Sequence, residues 1–533
     1  MKNTLLFSLV FFTNLLLAQS DKTIQTAEQA VESYGAIEKI YLHTDRDYYT
    51  GGGDIFFKVY LTDAELRQQA RSKVAYVDLI NPNGKIIQSR TIALKKGRGV
   101  GDFKLTSRFV TGQYTIRAYT QYMRNFDAAF FFRKATYIRG VSNLNEKAVM
   151  AKNTVDVQFF PEGGDLVVGL TSKIAVKTVD NMGKGIAIKG KIVADDTPTV
   201  GNIATNDEGF GIFSLTPEPN RTYTFTGQHG DQKIKVALPA ALSEGVVLAI
   251  NNSSEALIDI EVISKLTNTQ GGYLIGQGKG KVFLKQPINE SESKLTLPVV
   301  DLPQGILHFT YFDHLGQPRA ERLVFNHDGI DNFNVDFSTD KTIYQPREKV
   351  QLKLDVFDDE GEVLPADLSL TVVENNISNA FNNKDDIQSH LLLSSDLKGK
   401  IDHPSVYFKN TEQATKKALD LLLMTHGWRR FKWQDVLKKP KMEQSFSAEQ
   451  SLSIAGQITK KDKTADPVKA VGYLSELSAE LSMLPFETDE KGQFTVENIT
   501  TIGEKDMVLQ AATLNKKQQK VTKNSYALKG DRN

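Results

Sequence analysis

The stretch YYTGGGDIFFKVYL, residues 48–61, decides between two kinds of protein. Gly51, Gly52 and Gly53 beside Asp54 could cradle a phosphate, or could turn the chain into a strand. A second stretch settles the choice. HTDRDYYTGGGDIFFKVYL from His43 aligns without a gap on STDKTIYQPREKVQLKLDV from Ser338. Thr44, Asp45 and Arg46 fall on Thr339, Asp340 and Lys341, Tyr49 falls on Tyr344, and Lys58 falls on Lys353. The three glycines fall on Pro346, Arg347 and Glu348. A phosphate loop needs close backbone approach and could not make that exchange, whereas a turn accepts Gly or Pro. The Gly-Lys-Ser/Thr ending of such a loop is also missing. The stretch is a turn entering a strand.

The segment beyond the turn has period two. Ile55, Phe57, Val59 and Leu61 alternate with Phe56, Lys58, Tyr60 and Thr62; in the second copy Val350, Leu352, Leu354 and Val356 alternate with Gln351, Lys353 and Asp355. This pattern predicts strands with one face in a core and one in water. SKIAVKTVDNMGKGI from Ser172 echoes EKVQLKLDVFDDEGEV from Glu348 more weakly. TGQYTIRAYTQY from Thr111, LPQGILHFTYFDHLGQP from Leu302, TNDEGFGIFSL from Thr205 and TDEKGQFTV from Thr488 continue the style. Short strands separated by Asp/Asn/Gly turns predict an all-β, multidomain chain of tandem immunoglobulin-like sandwiches. Boundaries are expected near Gly140, Leu242, Gly329 and Gln444, giving segments 36–140, 150–242, 243–329, 330–441 and 448–533.

One interval breaks the alternation. Leu421, Met424, Thr425, Trp428 and Phe431 recur at helical steps, which predicts one amphipathic helix within a helical insertion near 410–438. Gly427 inside it costs ~1 kcal/mol relative to Ala, so packing must stabilise the helix. The preceding SSDLKGKIDHPSVYF from Ser394 is expected as an extended loop.

Bulk composition narrows function. Among 533 residues, 65 basic side chains balance 64 acidic ones, for a net charge of +1. No broad field favours nucleic acid or an anionic membrane. The absence of cysteine removes thiolate nucleophiles, disulfides, Cys-ligated zinc and internal thioesters. At the N-terminus, Lys2 precedes an apolar run from Leu5 to Leu17, interrupted only by Ser8, Thr13 and Asn14, and Ala18-Gln19-Ser20 offers a cleavage point. Residues 1–18 therefore predict a signal peptide, and no later run reaches the ~18 apolar residues of a membrane span.

Candidate chemistry is sparse. Asp420, His426, Arg429 and Arg430 share the helical stretch, but no Ser elbow or H-E-x-x-H motif accompanies them. Trp428 and Phe431 are expected as core anchors, with Arg429 and Arg430 as solvated or paired surface groups. The turns Asp358-Asp359-Glu360-Gly361 and Asp207-Glu208-Gly209 lack calcium-loop spacing and are expected to be hairpin turns. Tyr48, Tyr49 and Tyr60 are expected mainly in packing, with a binding patch as the alternative. No catalytic, cofactor-binding or metal-binding residue is assigned.

EKIYLHTDRDYYTGGGDIFFKVYLTDA from Glu38, YVDLINPNGKII from Tyr76 and GQYTIRAYTQYMRN from Gly112 together resemble the macroglobulin MG2-type domain of Bacteroidetes envelope proteins. FFPEGGDLVVGL from Phe159, AERLVF from Ala320, SSDLKGKIDHPSVYF and LLLMTHGWRRFKW from Leu421 resemble further signatures of that group, to about residue 440. The tail from Ser451 resembles a carboxypeptidase-regulatory-like domain, which in many members leads into the plug of a TonB-dependent receptor. This chain stops at Asn533; a plug-less or truncated member is the expectation, which argues against direct uptake. The resemblance implies no catalytic residues, and without cysteine no thioester trap can be inherited. The export signal, the repeated strand modules and the missing catalytic set lead to the expectation of an exported, non-enzymatic scaffold in the periplasm or at the outer membrane of a Gram-negative bacterium, bound to an outer-membrane protein or an extracellular polymer. Alternatives are a component of TonB-dependent transport, or a thioester-free protease trap using ENNISNAFNNKDDIQSH from Glu374 as bait.

Overall fold

The computed structural model describes residues 22, 24–140, 142–143, 154–181, 183–195, 199–328, 333–374, 385–427, 430–460, 466–476, 483–499, 507–513 and 524–527. The expected signal peptide, Trp428, Arg429 and 375–384 of the expected bait lie outside the described residues. The architecture is tandem β-domains with a small helical part, as expected. The chain divides into two units, one of Glu38–Leu144 with Glu443–Asn533, the other of Asn145–Met442 with the described residues up to Ile37.

The first module is a sandwich. β1 (Lys39–Thr44), β3 (Asp54–Thr62) and β6 (Arg98–Lys104) form one sheet in the order β1-β3-β6. The other runs β2-β8-β7-β4-β5, from β2 (Tyr48–Thr50), β4 (Val74–Ile80), β5 (Ile86–Ala93), β7 (Val110–Tyr119) and β8 (Phe132–Arg139), with β9 (Ser142–Asn143) beside β7. The glycine turn joins β2 to β3. The Gly51 N–H donates to Arg139 O at 2.8 Å, Gly52 to Leu105 O at 2.7 Å and Gly53 to Thr50 O at 3.1 Å. All three donors serve the fold, so the turn offers no anion cradle. Gly52 alone takes a left-handed φ, +91°, which a side chain would strain.

The repeat is atomic. Asp45 Oδ1 accepts the Tyr49 hydroxyl at 2.7 Å and the Phe56 N–H at 3.0 Å. Asp340 Oδ1 accepts the Tyr344 hydroxyl at 2.6 Å and the Gln351 N–H at 2.8 Å. β24 (Asn334–Thr339) and β25 (Leu352–Phe357) pair Asn334 with Phe357 and Thr339 with Leu352, while β1 and β3 pair Lys39 with Thr62 and Thr44 with Phe57. Registers and clasps match, residue for residue. Coverage does not: among the described residues β24 and β25 form a two-stranded sheet, without the strands that enclose β1 and β3.

Two sandwiches precede that hairpin. In one, β10 (Asp156–Pro161), β11 (Ser172–Val179) and β14 (Phe210–Leu215) face β12 (Lys189–Ala194), β13 (Thr199–Ala204), β15 (Tyr223–His229) and β16 (Gln232–Ala237) across Ile174, Val176, Ile192 and Phe225. In the next, β17 (Val246–Asn251), β18 (Leu257–Ser264) and β21 (Glu292–Pro298) face β19 (Gly272–Gly278), β20 (Lys281–Ile288), β22 (Gly305–Phe312) and β23 (Pro318–Asn326) across Leu248, Ile260, Phe309 and Val324. β22, GILHFTYF, is buried throughout because its second face is also covered. That cover is α1, a helix over 24–35, and α4 (Trp433–Val436): Ala27, Ala30, Val31, Trp433 and Val436 cluster with Ile275 and Phe312. The tail is a further sandwich of β26 (Leu452–Gln457) and β29 (Gln493–Ile499) with β27 (Ala470–Glu476), β28 (Met483–Glu487), β30 (Met507–Thr513) and β31 (Asn524–Ala527), cored by Leu474, Phe486, Phe494 and Leu509.

One turn joins many of these strands. At Asn81, Asp180, Asn206, Asp313, Asp358 and Asp489 the side chain accepts the N–H four residues on, at 2.8–2.9 Å. The glycine three residues on has φ between +70° and +86° each time. The Asp358 carboxylate thus closes a hairpin, as its spacing predicted.

The helical part departs from the single expected helix. α2 (Ile387–Leu392) starts with an Asp386–Ser389 capping box, and 3-10 turns at Ser394–Asp396 and Pro404–Phe408 replace the expected loop. α3 (Gln413–Thr425) stops before Gly427, with His426 already extended at φ −114° and ψ 129°. Its buried face is Leu419, Leu422, Leu423 and Thr425, one step off the expected stripe. Trp433, beyond the break, is the larger core anchor.

Candidate binding cleft

α3 lies within the unit of Asn145–Met442 and walls two clefts. One, of about 280 Å3, is lined by Glu162, His308, Arg322, Leu423 and His426 among others. The other, of about 630 Å3, lies between Phe210 and Ile212 of β14, Asn251 at the end of β17, Tyr407, and Lys416 and Asp420 of α3.

The charges gathered here bind one another. Arg322, on β23, donates from Nε to Glu162 Oε1 at 3.1 Å and from Nη2 to both Asp420 oxygens at 2.8 Å. Both Arg322 and Glu162 side chains are buried. Glu162 also accepts the Ile250 N–H at 3.3 Å, so it ties β10, β17 and β23 together. Removing one partner from such a buried pair costs about 3–5 kcal/mol, because the other charge is left uncompensated. Arg430, expected at the surface, is buried and donates to Asp396 Oδ1 at 3.1 Å and to Gly35 O at 3.1 Å. The guanidinium can be buried because its donors find a carboxylate and a carbonyl.

Asp420, His426 and Arg430 therefore do not converge; each has its own partner. His426 lies with Nδ1 2.9 Å from Leu422 O and Nε2 3.0 Å from Lys177 Nζ. Burial and the neighbouring Lys177 ammonium push its pKa down to about 4, so it is neutral at pH 7, and burial also lowers Lys177. His308 is bracketed by Gln277 at 3.0 Å and Glu321 at 2.8 Å, while Trp433 donates to Thr310 at 2.8 Å. These networks were not legible locally, since Arg322 meets Glu162 and Asp420 only through the fold. The expected aromatic patch is largely packing: Tyr49 is a buried clasp and Tyr48 stacks on Tyr137 at 5.7 Å.

Tyr407 lines the larger cleft and is buried. Burial, with the Glu208 and Asp402 carboxylates, pushes its hydroxyl up to about 12, so it remains a donor. No cluster of metal-ligating side chains occurs among the described residues. No described helix is long and apolar enough to cross a membrane.

Residues 39–131 match the profile of the MG2 domain. Similar solved structures include Escherichia coli alpha-2-macroglobulin activated by porcine elastase, at 13% identity and TM-score 0.26 over 90% of this chain and 42% of that one. Salmonella alpha-2-macroglobulin reacted with methylamine follows at 9% identity and TM-score 0.17, over 89% of this chain and 38% of that one. A tetra-tandem repeat from the extending region of a large adhesion protein has 10% identity and TM-score 0.14, over 92% of this chain and 98% of that one. No curated protein matches the chain. The chain thus spans about two-fifths of the macroglobulins it matches. It is a multidomain β-protein whose first module is an MG2 domain of the macroglobulin type.

Proposed function

We propose that this chain is a non-enzymatic binding and scaffold protein of the cell envelope, exported and docked through its β-modules onto outer-membrane machinery or an extracellular polymer. The observation that carries the reading is the second copy of the repeat, whose strands form while its apolar face stays in water. Soluble monomers rarely leave such a surface open unless a partner covers it. The ion pairs under α3 support the same reading, since Arg322, Arg430 and their carboxylates hold segments together. Affinity purification from intact envelopes under mild detergent tests it. The same outer-membrane components should return in every preparation; recovery of the protein alone would count heavily against it. A protease retained after mixing with the purified chain would replace this reading with the trap.

A further inference from the structure

We infer that the β24–β25 hairpin is an acceptor for a basic, extended segment of a partner protein, added antiparallel along the free edge of β25. The inference rests on the binding reading above and names its surface. Ile40, Leu42, Ile55 and Val59 of the first copy are at most 1% exposed, whereas their counterparts Val335, Phe337, Val350 and Leu354 are 41, 72, 49 and 37% exposed. Twelve large apolar side chains between Phe333 and Val373 are exposed by 37% or more, half of those in the described chain. They leave on the order of 1,000 Å2 of apolar surface in water, against a few hundred for an ordinary monomer. That is comparable with the ~800 Å2 that one partner contributes to a stable interface.

The first copy shows what belongs there. β6 lies antiparallel along β3, with Ile55 opposite Phe103 and Tyr60 opposite Arg98. The matching edge of β25 carries no strand among the described residues beyond the bridge Phe357–Val363 at its end. Strand addition along such an edge is a general recognition mode, with affinity from main-chain bonds and specificity from alternate side chains.

Charge selects the occupant. Residues 333–374 hold ten acidic side chains and four basic ones, in a chain whose net charge is +1. A second copy would set this acidic surface against itself, whereas a basic strand complements it. β6 is itself such a strand: KKGRGVGDFKL, residues 95–105, has four basic side chains and one acid, and buries Phe103 and Leu105.

A labelled peptide of residues 95–105 is the probe, titrated into the purified full chain with fluorescence anisotropy as the readout. Saturable binding is expected, weakened at least tenfold by Leu354→Asp and by Phe337→Asp, and weakened as salt rises. Both side chains are exposed, so circular dichroism should show both variants folded. A peptide with its four basic residues changed to Glu should not bind. No binding to the wild type, or equal binding to both variants, overturns the inference. A dimer in sedimentation that Phe337→Asp dissolves also overturns it, in favour of a second copy. Envelope partners recovered equally by wild type and Phe337→Asp would sink the inference and leave the binding reading standing; none recovered by either would sink that reading.

Discussion

The two copies of one hairpin, at Lys39–Thr62 and Asn334–Phe357, separate what local sequence does from what enclosure does. Both set the same register and close the same Asp–Tyr clasp. Among the described residues only the first is covered by a second sheet, and only there does the alternating apolar face leave water. The strand pattern and the clasp thus suffice to shape a hairpin. Burial, at about 1.5–3 kcal/mol per large aliphatic side chain, is supplied by the rest of the module.

That contrast can be broken by matched substitutions. Leu42→Ala should destabilise its unit by about 2–5 kcal/mol, while Phe337→Ala, at the same repeat position, should change stability by less than about 0.5 kcal/mol. Denaturant unfolding followed by circular dichroism checks this; similar losses at both positions would show that the second copy is covered after all.

Acid separates enclosed sites from open ones next. His426 is held near 4 in the fold, against about 6.5 when unfolded. Above pH 6.5 it is neutral in both states and adds no pH dependence. As pH falls from 6.5 to 4, the unfolded chain takes a proton that the fold refuses, so up to about 3 kcal/mol of stability is lost there. His426→Gln should flatten that slope, as measured by unfolding midpoints between pH 7 and 4.

The smallest effect concerns the clasps themselves. Asp45→Asn weakens an acceptor whose partner Tyr49 is buried, and should cost about 1–2 kcal/mol. Asp340→Asn alters the same contact in water, where the loss should stay below about 0.5 kcal/mol. Equal costs would mean that the clasp works without enclosure.

Much of this fold was legible because its signals are local. Period-two alternation, the repeat and the Asp/Asn–Gly turns each lie within a few residues, and each reappears as a strand, a register or a closed turn. Helix α1 carries a local signal too, with Ala27, Ala30, Val31 and Tyr34 at helical steps. α3 ends at Thr425, with His426 already extended, and its buried stripe is Leu419, Leu422 and Leu423. The cleft was not legible: Arg322, Glu162 and Asp420 become neighbours only when β23, β10 and α3 assemble. Arg430 was misplaced for a related reason, since Asp396 and Gly35 reach it through tertiary packing.

Amide hydrogen exchange on the intact chain tests the central contrast most directly. Residues 55–60 of β3, flanked by β1 and β6, should be protected to near the global stability of their unit. Residues 350–355, matched to them in sequence, should exchange orders of magnitude faster in the isolated protein. Equal, strong protection of both segments would contradict the account.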